Sequence, residues 1–439
     1  MPALAETPPA ARFLDEMTHR TDSPPPRRRR PSAAVVLALC AVAPLTLLLP
    51  SGCTGTASTS PAPQAGTPSA AVFAAGEIRS VTPWNFGEHD GRIISTDNFA
   101  IYTTETNPAI IDRVPRFLEQ ALTAYRTSLT GDSPLPPPPG RMESFVMGSR
   151  QQWKDITLSV LGNQGRDMLN ITAGGFAIGG RAFLFDIGIG STFYVASHEG
   201  WHQYTQRTFA EPMPVFIEEG IATYMEGHRW QDQSVAFMPW ANLERFDQLR
   251  TAFAGGRLKS VRELIETSPQ RLIQEPGDAA VTYYAQLWAL VHFLREGDGG
   301  TYRPALQRLL TDAQAGRLSQ SVAGALSMNE RAGLLARRQG IAVFRAYFDR
   351  DPDAFDRRYQ AFIQQLVRSG ARDAISQGRS PIPVAAVPRS SSDSPARGGN
   401  TANARSAISV ASPLLGDRAA IPSRGVRRTS IPVQPAPSN

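Results

Sequence analysis

Cysteine is almost absent from this chain. Among 439 residues there are two, Cys40 and Cys53, and both lie in the first 53 positions. The sequence downstream therefore has no disulfide framework and no cysteine-based zinc site. Positive charge is missing where a nucleic-acid-binding domain would need it. The formal charge is +6, but six arginines face four acids before Cys53, and eight arginines face two acids after Ile375. Setting these ends aside leaves 31 of the 45 basic residues and 33 of the 39 acidic ones in the middle. A middle region near −2 carries no basic face, which argues against a nucleic-acid partner. Internal repeats are also lacking.

What is present at the N-terminus reads as an address. Residues 27–40, "RRRRPSAAVVLALC", continue in an apolar run to Leu49, the layout of a secretory signal. Pro44 and the short length disfavour the alternative, a membrane-spanning helix. The run ends "LLLPSGCTGT". Small residues before a cysteine resemble the bacterial lipobox, with Cys53 as the lipidated residue, although Pro50 stands where an aliphatic residue is usual. Membrane association is expected through that anchor or through an uncleaved signal. Residues 1–53 are accordingly an export segment and 54–75 a flexible polar tether. Residues 76–375 form the folded domain, and 376–439, rich in Ser, Pro, Ala and Arg, are expected to be a disordered tail.

Within the domain, β-branched and aromatic residues at 91–106 suggest a strand, and 110–129 carries apolar residues at helical spacing. "MESFVMGSRQQWKDIT" (142–157) reads as a strand followed by a helix. Paired glycines between short apolar runs at 170–188 suggest a hairpin or edge strand. Helices follow at about 192–207, at 214–227 with Pro214 at the start, at 279–297, and through most of 301–369. Strands first and helices after fit an α+β domain.

The segment "ASHEGWHQY" (196–204) holds His198, Glu199 and His202. Histidines spaced i, i+4 on a helix lie on one face, one turn apart, so two ring nitrogens can reach one metal ion. Glu199 lies about 100° round the helix from His198. It is placed to take a proton from water activated at zinc, without itself binding the metal. Alone, such a pattern arises often by chance, and its histidines could satisfy local hydrogen bonds only. A catalytic zinc needs a third protein ligand and an open position. "PVFIEEGIATYMEG" (214–227) offers the acidic pair Glu218–Glu219 before Gly220.

Residues 198–227 resemble the active-site segment of the gluzincin metallopeptidases, which include thermolysin and the M1 aminopeptidases. They resemble more closely a group of secreted bacterial gluzincin-like proteins, often of lipoprotein type, with "HEGxHQ" and "EGxAxYxEG" segments. The resemblance implies a gluzincin-like fold: a small N-terminal mixed sheet with an edge strand, then a mainly helical half carrying the active-site helices. It makes Glu219, rather than Glu218, the third zinc ligand, and implies one Zn2+ per chain. Sixteen residues separate His202 from Glu219, a few fewer than in the better-known families, which puts the shape of the cleft in question. By the same resemblance, a tyrosine on a later helix donates to the oxyanion. Tyr284 is the choice and Tyr283 the fallback, with Leu287 replacing the glycine of the family's run. Glu226 and Thr223 are candidates to orient a ligand. Glu218 is either solvated or does likewise. His292 recurs on the face of Tyr284 and Trp288 but reads as a satisfied core or surface histidine; His228 and His89 stand outside the pattern, and Trp201 and Tyr204 read as core or cleft wall.

The expected function is zinc-dependent hydrolysis of a peptide bond in the bacterial cell envelope, by attack of activated water on a peptide or protein substrate. The competing reading is a catalytically silent metal-binding lipoprotein on the same scaffold, and the intact Glu199 counts against it. No acidic motif for a substrate amine marks an aminopeptidase, and oligomeric state has no signature.

Overall fold

In chain order the strands of the main sheet lie before residue 186, with helices between them, and the longest helices and a small hairpin follow. A computed structural model describes residues 77–382, apart from 172–173, 233, 268, 270–271, 273–277, 324–326 and 330–339. The export segment with Cys53, the tether, and the chain beyond 382 lie outside the described residues. The start of the expected tail is described: Ser376 ends the last helix among the described residues, and Ile382 packs against the core.

Six strands form one mixed sheet: β1 (Ser80–Phe86), β2 (His89–Ser95), β3 (Phe99–Thr103), β4 (Met142–Met147), β5 (Gly175–Ile178) and β6 (Arg181–Phe185). The spatial order is β1-β2-β3-β4-β6-β5. β1, β2 and β3 meander antiparallel, β4 is parallel to both β3 and β6, and β5 returns antiparallel on β6. The expected single strand at 91–106 is thus two strands. The turn between them is held by Glu119, whose Oε1 accepts from Thr96 Oγ1 at 2.6 Å and Asn98 N at 2.8 Å. The expected hairpin at 170–188 is β5–β6, with β5 on the edge. Its turn residues Gly179 and Gly180 have φ of +60° and +76°, the left-handed geometry that a two-residue hairpin turn demands.

Alternation gives the sheet two buried faces. Ile94, Phe99, Ile101, Val146 and Leu184 pack against helices in the main core. Phe145, Phe176, Phe183 and Phe185 form a second cluster with Trp153 and Ile156 of the helix Arg150–Leu161. Helices are numbered in chain order: α1 (Pro108–Ile111), α2 (Val114–Thr127), α3 (Arg150–Leu161), α4 (Ile189–Thr208), α5 (Val215–Met225), α6 (Leu243–Ala254) and α7 (Val261–Glu266). After them come α8 (Ala279–Glu296), α9 (Arg303–Gln314), α10 (Leu318–Ala323), α11 (Gly340–Tyr347), α12 (Pro352–Leu366) and α13 (Ala371–Ser376). A two-stranded hairpin, β7 (His228–Gln231) with β8 (Ser234–Phe237), follows α5. Every residue of α8 from Thr282 to Leu294 is buried. A helix apolar on all sides belongs at the centre of a bundle, and α5 lies along it. Among the described residues no helix is long and apolar enough to cross a membrane.

Candidate metal centre

The centre forms where α4 meets α5. Helix α4 is pinned to the sheet by Gln203, fully buried, whose Nε2 donates to Glu143 O at 2.7 Å and whose Oε1 accepts from Ser144 Oγ at 3.1 Å. One turn on, Gln206 accepts from Gly180 N at 2.9 Å and donates to Ala177 O at 3.1 Å, binding the β5–β6 turn. The glycines in both motifs are close-approach points. A Cβ on Gly200 would lie 2.6 Å from Tyr125 Oη, and that hydroxyl donates to Ser197 O at 2.7 Å. A Cβ on Gly220 would lie 2.9 Å from Val291 Cγ2 and 3.3 Å from Leu287 O on α8. Trp201 and Tyr204 are fully buried in the core.

The chain turns from α4 to α5 in six residues, 209–214. That loop is anchored by backbone bonds from Ala210 and Glu211 to Gln314 O and Ala313 O at the end of α9. Pro214 precedes α5 as its N-cap. The shorter His202–Glu219 spacing is therefore accommodated by a tight, tethered connection.

His198 Nε2 and His202 Nε2 each lie 3.5 Å from Glu219 Oε2, and one ligand atom from each of the three residues falls within 4.8 Å of the others. All three side chains are buried, Glu219 completely. Both Nε2 atoms and both Glu219 oxygens are buried without a hydrogen-bond partner. Four polar atoms left this way would be costly unless something satisfies them. Two imidazole nitrogens and a carboxylate are the donor set of a three-ligand zinc site. The residues fit the metal. The cluster matches the gluzincin His-Glu-x-x-His…Glu motif, and the mixed sheet followed by a helical half carrying it is the expected architecture.

Each histidine is held from behind. His198 Nδ1 bonds Glu226 Oε1 at 2.9 Å, and His202 Nδ1 bonds Glu218 Oε1 at 3.0 Å. Thr205 Oγ1 also donates to Glu218 Oε1, at 2.7 Å. Such contacts fix the ring and leave Nε2 for the metal. Of the two options for Glu218, the buried one holds. Thr223 does not orient a ligand side chain: its hydroxyl donates to Glu219 O within the helix, at 2.7 Å. Glu226 is in turn held by Asn242 and Arg245. Neither was singled out in the sequence. Asn242 shows there only as a potential N-cap for α6, and nothing marks Arg245 as buried.

The electrostatics follow from burial and neighbours. Burial raises the Glu199 carboxyl to about 7, with the two histidines opposing and Glu219 and Glu226 assisting. Burial would also raise Glu219, but His202 and His198 outweigh it and lower that group to about 2. Glu226 is lowered to about 2 in the same way, against burial, chiefly by Arg245.

Tyr284 on α8 is the tyrosine beside the cluster. Its ring centroid is 6.2 Å from that of His198, and its hydroxyl is buried without a partner. The Tyr283 hydroxyl instead points to Thr267 O, at 3.4 Å. His292 lies away from the cluster, its Nε2 3.1 Å from Glu296 Oε2 and its ring against Trp288, Tyr224 and Phe362. His228 is boxed by Phe117, Tyr194, Trp230 and Phe237 and bonds Glu226 O at 2.8 Å. Burial lowers its imidazole to about 4. His89 lies in β2, at the exposed first hairpin.

In comparisons with protein-family models and with curated proteins, the chain matches none.

Proposed function

We propose that this protein is a zinc-dependent hydrolase of metallopeptidase type, with His198, His202 and Glu219 holding one zinc ion. The observation that carries the reading is the convergence of two Nε2 atoms and a carboxylate, all buried and none with a hydrogen-bond partner. When bound, zinc supplies Lewis acidity that polarises a carbonyl and makes water a nucleophile near neutral pH.

The remaining chemistry belongs to the chain. Glu199, one residue from His198 and nearly fully buried, acts as general base, taking a proton from the attacking water. The same carboxyl, buried beside the two histidines, can then return that proton to the departing amine, as a positioned acid–base group does. Tyr284 donates its hydroxyl to the oxygen on which charge builds. Burial pushes that hydroxyl well above the ordinary tyrosine range, so it stays protonated and remains a donor. The substrate class is a peptide or protein. We assign its extended backbone to the edge strand β5, beside α4, where main-chain hydrogen bonds would recognise it without demanding particular side chains.

The basic, apolar and cysteine order of residues 27–53 supports an exported protein anchored in the cell envelope through Cys53. Fractionation tests this: Cys53→Ser should move the chain out of the membrane fraction, and unchanged partition would remove the lipid anchor from the proposal.

Elemental analysis tests the central reading. Purified wild type should carry about one zinc per chain and Glu219→Ala much less, because a catalytic site has three protein ligands. Glu199→Gln should keep its zinc while losing roughly 100- to 10,000-fold of its hydrolysis of a peptide library, the usual weight of a general base. Hydrolysis that persists in that variant, or a wild type without zinc after supply of the metal, would refute the reading.

A further inference from the structure

We infer that Arg245 is a positioning residue of the metal centre, acting on His198 through Glu226. The inference rests on the zinc-hydrolase reading and concerns a residue outside both motifs.

Arg245 lies in the first turn of α6 and is 2% exposed. A guanidinium taken that far from water is costly unless its partners are close and well directed. Its Nε donates to Glu226 Oε2 at 2.9 Å and its Nη2 to Glu226 Oε1 at 3.0 Å, the two-pronged grip that a planar guanidinium makes on a carboxylate. Its third nitrogen, Nη1, donates to Gln248 Oε1 at 3.0 Å. Asn242, the N-cap of α6, adds a bond from Nδ2 to Glu226 Oε2 at 3.0 Å. With His198 Nδ1 on Oε1, each oxygen of Glu226 has two partners, so the carboxylate has one orientation. His198 can then present Nε2 toward Glu219 in one direction only.

Two further observations require the cation. Glu226 is the C-cap of α5, where the helix dipole opposes a negative charge. Four buried carboxylates, Glu199, Glu218, Glu219 and Glu226, crowd around the two histidines. The guanidinium carbon of Arg245 also lies 5.7 Å from the centroid of the Tyr284 ring. One side chain therefore abuts both the support of a ligand and the tyrosine assigned to the oxyanion.

The test is zinc affinity, measured by competition with a chromophoric chelator, for wild type, R245M, R245K, E226Q and the double variant R245M/E226Q. Circular dichroism and thermal unfolding accompany each protein. R245M and E226Q should each weaken zinc binding by roughly 10- to 100-fold, the usual effect of removing support behind a ligand. R245K, with the charge but not the fork, should fall between R245M and wild type. Because Arg245 acts through Glu226, the losses in the double variant should not multiply. A merely structural arginine would lower the unfolding midpoint while leaving the affinity of the folded fraction unchanged. R245M within twofold of wild type, or losses that multiply, overturns the inference. If R245M fails to fold, R245K at wild-type affinity does the same. A wild type that binds no zinc instead overturns the hydrolase reading, and this inference with it.

Discussion

In the proposed reaction Tyr284 contributes one hydrogen bond to a developing negative charge. The side chain is buried, and its hydroxyl has no protein partner to lose. Tyr284→Phe removes that donor with almost no change in shape. Its expected outcome is a kcat lower by about 100- to 1,000-fold, the range seen when one oxyanion donor is deleted, with zinc content and unfolding midpoint unchanged. Steady-state kinetics on a substrate found with the wild type checks this. An unchanged kcat would return the role to Tyr283 or to none. At this scale His198, Glu199, His202 and Glu219 were legible, because their chemistry requires fixed residue types at fixed helical spacing. The choice of Glu219 over Glu218 came from resemblance. The structure gives the two different partners: Glu219 faces both Nε2 atoms, and Glu218 bonds His202 Nδ1.

At the scale of elements, the centre depends on how closely α4 approaches α2 and how closely α5 approaches α8. Gly200 makes the first contact possible, since Tyr125 Oη fills the space a Cβ would need. Gly200→Ala gains about 1 kcal/mol of helix propensity but forces an overlap that typically costs ~1–3 kcal/mol. The overlap should win. Urea unfolding is expected to show a net loss of about 1 kcal/mol, and Tyr125→Phe in the same chain should relieve most of it by removing the hydroxyl. A stability gain in the single variant would mean that α2 gives way freely. The helices carrying the motif were legible from periodicity, with ends shifted by a few residues: α4 begins at Ile189 rather than near Thr192. Strands were less so. One expected strand proved to be β2 and β3 because Glu119, on a helix, stabilises the turn between them. β1 and the β7–β8 hairpin carried no strong alternation to announce them.

For the whole molecule, the three residues proposed to hold zinc come from two helices, α4 and α5, so a bound ion would link them. A ligand that binds only the folded state adds about 2.7 kcal/mol at a concentration 100 times its Kd. For a domain of this size that corresponds to a midpoint shift on the order of 5 °C. Stripping the protein with a chelator is expected to lower its thermal midpoint by that amount, and restoring zinc should recover it. Glu219→Ala should show no such response. Equal midpoints with and without zinc would indicate that the ion makes no stabilising link between α4 and α5.

The sequence by itself determined the kind of chemistry. Two histidines one helical turn apart, a carboxylate beside the first, and a glutamate before a glycine downstream are local patterns, and the backbone period alone puts the first three in register. It also determined where the main helices fall, since burial on one face imposes a readable period on each of them. Tertiary structure decided what no local pattern encodes. It turned Glu226 and Glu218 toward the backs of the two histidines, brought Arg245 of α6 onto Glu226, and set the Tyr284 ring beside His198. Those contacts join residues far apart in the chain, and a buried arginine reads in sequence like any other. Its meaning comes from the packing of α6 beside the end of α5, which the whole core sets.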